Sequence, residues 1–216
     1  MQQGLYLVTP DWDDTDRLVE ATRGALQAGA AMLQYRNKAA SPALRLEQAA
    51  ALLALCREYH RPLVINDHLD LCLALDADGV HVGGTDASVA QARARLGPGK
   101  IVGASCYGDL RLARAAARDG ASYVAFGGFY PSRVKQYSFR TEPAIIDLAV
   151  AEIGLPLVVI GGMTPANAAP LVARGANMVA AISSVYAAAV PAAVVREFDA
   201  LFAGCPKRCI NQNAAV

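Results

Sequence analysis

Eight short runs suited to strands alternate with eight Ala-, Leu- and Arg-rich segments of helical period, and this alternation constrains the fold more than any other feature. The strand runs are GLYLVTP (4–10), AMLQYR (31–36), LVIND (63–67), GVHVG (79–83), IVGAS (101–105), YVAFG (123–127), LVVIGG (157–162) and MVAAIS (178–183). Helices fit 15–28, 42–59, 69–76, 87–96, 109–118, 143–152, 165–174 and 191–203. Several open on Ser, Thr or Asp, or carry proline in the first turn, as in SPALRL and TPANAA. The turns AGAAML, LDADGV, DGASYV and RGANMV recur before the even-numbered strands, and Gly29, Gly120 and Gly175 suit a left-handed helix stop in three of them. Eight βα units in 216 residues fit a single-domain α/β fold, a (β/α)8 TIM barrel over residues 1–204. A doubly wound sheet usually has fewer strands, and no G-x-G-x-x-G follows the first run. The last stretch, CPKRCINQNAAV (205–216), reads as a polar, disordered tail.

Charge narrows the partners. With 20 basic and 19 acidic residues the net charge is +1, too balanced to hold a nucleic-acid backbone or an anionic membrane. Small molecules are the expected ligands, and an oligomer is compatible with the composition. MQQGLYLVTP lacks the basic and apolar regions of a signal peptide, and the charge-free stretch from Ala176 to Val195 is interrupted by polar residues and Pro191. A cytoplasmic location with reduced thiols is the expectation. Cys56, Cys72 and Cys106 sit in apolar contexts that suit core packing, while Cys205 and Cys209, in the tail, lack the companion histidines of a zinc site.

In such barrels chemistry gathers at the C-terminal strand ends. Gln34, Arg36 and Lys38 alternate after the second run and, if the strand persists, project together into the barrel mouth. Asn66 and Asp67 end the third run, and Asp86 follows the fourth. Either aspartate alone would read as a helix cap; together, on adjacent parallel strands, they suit magnesium, which takes oxygen ligands completed by water and phosphate. Ser105 closes the fifth run. The sixth leads into a long loop, Gly128 to Thr141, with Ser132, Arg133, Lys135 and Arg140, suited to closing over an anion. Gly161-Gly162 before MTPANA opens backbone N–H groups at a helix start, a common phosphate setting after strands 7 and 8 of this fold. Ile182-Ser183 ends the eighth run. His60 and His68 read as exposed and His81 as lining the barrel, and no Ser/His/Asp set stands out.

This ordered set resembles the thiamine phosphate synthase family, from GLYLVTP through LQYRNK, VIND, DADGVHVGGTD, VGASC, VAFGGFYPSRVK and VVIGGM to VAAISS. The resemblance implies a transferase that joins an aminopyrimidine methyl diphosphate to a thiazole phosphate, or its carboxylated form, releasing diphosphate and forming thiamine phosphate. It implies that Gln34, Tyr35, Arg36, Asn37, Lys38, Asn66, Ser105 and Lys135 hold the pyrimidine diphosphate. Ser132, Arg133, Val134, Gly162, Ile182 and Ser183 would surround the thiazole phosphate, and Asp67 and Asp86 would bind Mg2+. Tyr6, His81 and Gly161 are further candidates for the pocket wall. The chain departs from the family in having Gly84 where glutamine is usual, and PSRVK where the loop usually reads Pro-Thr-x-Thr-Lys. A thiazole tautomerase on the same barrel, or a non-catalytic binder of a phosphorylated ligand, is the alternative expectation.

Overall fold

The computed structural model describes residues 3–84, 87–132 and 138–203. Its elements run β1 Gly4–Val8, α1 Thr15–Gln27, β2 Met32–Tyr35, α2 Pro42–Glu58, β3 Leu63–Asn66, α3 Leu69–Leu75, β4 Gly79–Val82, α4 Val89–Leu96, β5 Ile101–Tyr107, α5 Leu110–Arg118, β6 Tyr123–Gly127, α6 Ala144–Glu152, β7 Leu157–Ile160, α7 Pro165–Ala173, β8 Met178–Ala181, α8 Ser183–Tyr186 and α9 Pro191–Ala200. Strands pair in parallel in chain order, and β8 returns to β1 with Tyr6 opposite Ala180, so the sheet closes into a barrel. The eightfold alternation is therefore a (β/α)8 barrel. The short helix α8 is absent from the periodicity reading, because four residues, SSVY, carry no helical period.

Local chemistry sets the helix ends. Asp14, Ser41, Ser88, Asp109 and Thr164 each accept a backbone N–H in the first turn of the helix they precede, with reciprocal capping boxes at Ser88/Gln91 and Thr164/Asn167. The repeated turns stop their helices in one way. Ala30, Ala77, Ala121 and Ala176 each donate their N–H to the carbonyl five residues back, at 3.1, 3.0, 2.9 and 3.2 Å. This is the Schellman closure, which needs a left-handed residue. Gly29, Gly120 and Gly175 supply it in three turns, and in the fourth Asp76 does so at φ 51°.

The pleat divides the barrel into two cores. Leu5, Leu7, Leu33, Ile65, Val80, Val124 and Val159 face outward under the helices, while Tyr6, Val8, Met32, Val64, Tyr123, Ala125, Val158, Met178 and Ala180 fill the interior. Cys56, Cys72 and Cys106 are buried free thiols of the outer core, and burial pushes them up to about 12, 11 and 12, so they are inert packing groups. Gly103 makes room for Tyr123: a Cβ there would lie 2.1 Å from the phenol ring. Gly103→Ala is accordingly expected to destabilise the fold by about 1–3 kcal/mol through overpacking, read as a lower midpoint in urea unfolding at unchanged slope. Among the described residues no helix is long and apolar enough to cross a membrane.

Candidate functional site

A cavity opens at the C-terminal mouth of the barrel, lined on one side by Gln34, Arg36, Asn66, His81 and Ser105 and on the other by Ser132, Gly161, Gly162, Ile182 and Ser183. Tyr6 contributes to its wall. The structure thus brings together most of the described rim residues that the sequence singles out.

Around β2 the geometry corrects part of the reading. The strand ends at Tyr35, so the alternation does not carry on to Lys38. Gln34 points inward and is buried, whereas the pleat sends Tyr35 outward, where its hydroxyl donates to Gln48 Oε1 on α2 at 2.9 Å. Burial pushes this phenol up to about 12. Asn37 also turns away from the cavity: its amide donates to Trp12 O and Gln48 Oε1, and its Oδ1 accepts from the N–H groups of Ala39 and Ala40. Tyr35 and Asn37 therefore do not present their side chains to a ligand; they shape the loop that carries Arg36 and Lys38. Thr9 Oγ1 clasps the same loop through Arg36 N and Arg36 O, both at 2.8 Å.

The two cations already have acid partners. Arg36 meets Asp11 at 3.1 Å, and Lys38 lies 3.8 Å from Asp67. A guanidinium has five donors, so Arg36 keeps capacity for an anion in the cavity it lines.

Strand β3 ends at Asn66, one residue earlier than the sequence suggested, and Asp67 takes a left-handed conformation, φ 62°. Its N–H donates to His81 O at 2.9 Å, and the Asn66 amide donates to its carboxylate at 2.7 Å. It does not cap α3, whose N-cap position falls to His68 without a side-chain bond. The carboxylate, about a fifth exposed, lies at the rim against the Asn66 amide and Lys38 instead of capping the helix. Asp86, Arg133, Val134 and Lys135 lie outside the described residues, as do Cys205 and Cys209.

His81 is buried within the barrel, not merely beside it. Its Nε2 lies 2.8 Å from Ser105 Oγ, which resembles half of a nucleophilic dyad, but its Nδ1 meets Tyr123 Oη at 2.8 Å rather than a carboxylate. Burial pushes the Tyr123 phenol well up, so it stays neutral and offers no anion to support an imidazolium.

Gly84, where the family usually has glutamine, donates its N–H to Tyr107 Oη at 3.0 Å, and a Cβ on Gly84 would lie 3.0 Å from that oxygen. Tyr107 reaches this place from a bulge in β5 with φ 54°. The phenol occupies space that a side chain at position 84 would need.

Across the mouth, Gly161 and Gly162 turn with φ 113° and 62°. Gly162 O is held by the Asn167 amide at 2.9 Å, and Tyr130 Oη donates to Asn167 O at 2.9 Å, which ties the strand 6 loop to the start of α7. Beyond Ser183, Ser184 also lines the cavity; its buried Oγ has no hydrogen-bond partner among the described residues. The sequence reading passed over it, and the second serine of the SS doublet was the available signal.

A closed (β/α)8 barrel with a mouth cavity, lined by Arg36 and amides on one side and by glycines and serines on the other, defines a barrel protein with a small-ligand-sized cavity at its C-terminal rim. The family model described as thiamine monophosphate synthase matches residues 5–185. Over 200 residues the chain is 63% identical to the thiamine-phosphate synthase of Janthinobacterium sp. (strain Marseille), covering 93% of this chain and 97% of that protein. It is 52% identical over 200 residues to that of Methylobacillus flagellatus, covering 93% and 95%. Among solved structures, thiamine phosphate pyrophosphorylase from Pyrococcus furiosus superposes with a TM-score of 0.80 at 32% identity, covering 92% of this chain and 95% of that one. A 3-hexulose-6-phosphate synthase at 19% identity and TM-score 0.68, covering 91% and 99%, shares the fold. The chain belongs to the thiamine monophosphate synthase family.

Proposed function

We propose that this protein is a thiamine phosphate synthase, a transferase that joins 4-amino-2-methyl-5-pyrimidinylmethyl diphosphate to the thiazole phosphate. One observation supports the reading beyond family membership: a single cavity is lined by residues from both candidate groups, Gln34, Arg36, Asn66 and Ser105 with Ser132, Gly162, Ile182 and Ser183. Two substrates bound there meet over the interior, away from bulk water.

Gln34, Asn66 and Ser105 hold the aminopyrimidine, and Arg36 and Lys38 face its diphosphate, with Lys135 added by the family pattern. Tyr35 and Asn37 contribute through backbone groups alone. Gly162, Ile182, Ser183, Ser132 and the neighbouring Arg133 and Val134 surround the thiazole phosphate, and the unpartnered Ser184 Oγ supplies a further donor to it. The C–O bond of the pyrimidine methylene breaks and diphosphate leaves with the electron pair. The ring and its exocyclic amine spread the positive charge until the thiazole nitrogen lone pair forms the new C–N bond. Arg36 and Lys38 stabilise charge that grows on the leaving group, so their contribution is larger in the transition state than in the ground state. No enzyme nucleophile is needed, which agrees with thiols that are all buried among the described residues.

The donor set fits magnesium. Asp67 offers a hard carboxylate at the rim beside the cationic side of the cavity, and magnesium asks for only one or two carboxylates when phosphate oxygens and water complete its shell. Asp67, with Asp86, would hold the ion, and its charge would lower the cost of diphosphate departure.

The test is to mix the protein with both substrates and magnesium and to follow thiamine phosphate after oxidation to its fluorescent derivative. Product that a chelator abolishes is expected. Absence of product from folded protein that binds both substrates would overturn the reading in favour of a binder. Conversion of the thiazole phosphate alone would point to a tautomerase, although Asp109, the carboxylate of the strand 5 loop, is engaged in capping α5.

A further inference from the structure

Below the cavity, five side chains from five strands form one hydrogen-bonded chain across the barrel. Gln34 Nε2 donates to Tyr6 Oη at 2.8 Å, and the hydroxyls of Tyr6 and Tyr123 lie 2.7 Å apart. Tyr123 Oη lies 2.8 Å from His81 Nδ1, and His81 Nε2 lies 2.8 Å from Ser105 Oγ. Both ends, Gln34 and Ser105, line the cavity, while Tyr123 is fully enclosed. Plain packing would be served by apolar side chains here, as in most of the barrel interior.

With the Gln34 amide nitrogen placed on Tyr6, the chain runs in one direction. An amide nitrogen donates and never accepts, so Tyr6 accepts from Gln34 and must give its single proton to Tyr123. Tyr123 then gives its own proton to His81 Nδ1. An imidazole that accepts at Nδ1 and is neutral carries its proton on Nε2, and therefore donates to Ser105. Ser105 is left with its O–H for the cavity, and Gln34 with its carbonyl oxygen and its second amide N–H. Burial pushes the ionisation of both tyrosines up, so neither loses the proton that the sequence of donations requires.

We infer that Tyr6, Tyr123 and His81 are positioning residues that set the polarity of the pyrimidine subsite, fixing Ser105 as a donor and the Gln34 carbonyl as an acceptor. This rests on the synthase reading for the identity of the ligand. The matching ligand presents an acceptor to Ser105 and a donor to Gln34, and an aminopyrimidine carries both in its ring nitrogens and exocyclic amine. As positive charge spreads to the amine during loss of diphosphate, its N–H becomes a stronger donor and its bond to the Gln34 carbonyl strengthens. The opposite polarity would commit the Gln34 carbonyl to Tyr6 and leave only N–H groups for a developing cation.

The direct test is the nitrogen chemical shifts of His81 in 15N-histidine-labelled, ligand-free protein. A bare, accepting Nδ1 with a protonated Nε2 is expected. A proton on Nδ1, whether as the other tautomer or as imidazolium, would overturn the inference without any bearing on whether the protein makes thiamine phosphate. Substitution then separates polarity from packing. Tyr123→Phe is expected to let His81 sample both tautomers and to raise KM for the aminopyrimidine diphosphate about 3- to 10-fold, the worth of one hydrogen bond, with KM for the thiazole phosphate within about twofold. Tyr6→Phe keeps the Tyr123–His81 contact but cuts the link to Gln34 that fixes its direction, so it too is expected to let His81 sample both tautomers. An unchanged tautomer in Tyr123→Phe, or an equal rise in both KM values, would show a merely structural chain. If Tyr123→Phe does not fold, the shifts in the unaltered protein still decide the polarity.

Discussion

Asp67→Asn is expected to lower kcat/KM for thiamine phosphate formation by about 10²- to 10³-fold, the usual loss when one preorganised charge-stabilising group is removed from a site. Asparagine is the informative substitute because position 67 is left-handed, φ 62°, and asparagine tolerates that conformation at least as well as aspartate. It also keeps an oxygen that accepts from the Asn66 amide, as the carboxylate does now. What it removes is the negative charge beside Lys38. Alanine at this position would add backbone strain of about 1 kcal/mol or more and confuse the two effects. Manganese binding followed by electron paramagnetic resonance should weaken in parallel, and the thermal midpoint should change little. Undiminished kcat/KM together with undiminished manganese affinity would remove Asp67 from the metal assignment.

The second large effect is expected at the opposite side of the mouth. Gly162 has φ 62°, and a Cβ there would lie 2.2 Å from Pro131 O. A backbone carbonyl cannot rotate away as the end of a long side chain can. Gly162→Ala must therefore displace either the β7–α7 turn or the segment carrying Ser132, and both line the cavity. A displacement of about 1 Å in a positioned site is enough for a loss on the order of 10²-fold. The expected signature is a KM for thiazole phosphate raised at least about tenfold, with KM for the pyrimidine diphosphate nearly unchanged, and a stability loss of about 1–3 kcal/mol by urea unfolding. An unaltered KM for thiazole phosphate would mean that this turn does not contact that substrate.

Much of this arrangement is legible before folding. The eight alternations, the Ser, Thr and Asp caps and the glycine stops are local signals, and each βα unit repeats them, so errors of one or two residues at an end do not disturb the count. Rim positions such as Gln34, Asn66, Ser105 and Gly162 follow from the same register, because the barrel gathers every strand terminus on one rim, although β5 runs on to Tyr107 past the expected end at Ser105. The reading faltered where the pleat stops. Tyr35 and Asn37 lie within the QYRNK run, yet both turn to Gln48 on α2, and no period in the sequence announces that the strand ends at Tyr35. Ser184 was missed for a similar reason: four residues of helix leave no pattern, and only the cavity shows that its hydroxyl lacks a partner.

By itself, then, the sequence determined the barrel, its strand order and the residues available at its mouth, since periodicity and capping act over a few neighbours and sum along the chain. Only the tertiary structure decided which of those residues cooperate. Tyr6 and Tyr123 are 117 positions apart and meet at 2.7 Å because closing β8 onto β1 brings opposite strands around a common interior. Tyr107 fills the space beside Gly84 because a bulge in β5 redirects it. Such contacts depend on shear, closure and the direction of single hydrogen bonds, none of which is written in the neighbourhood of any one residue.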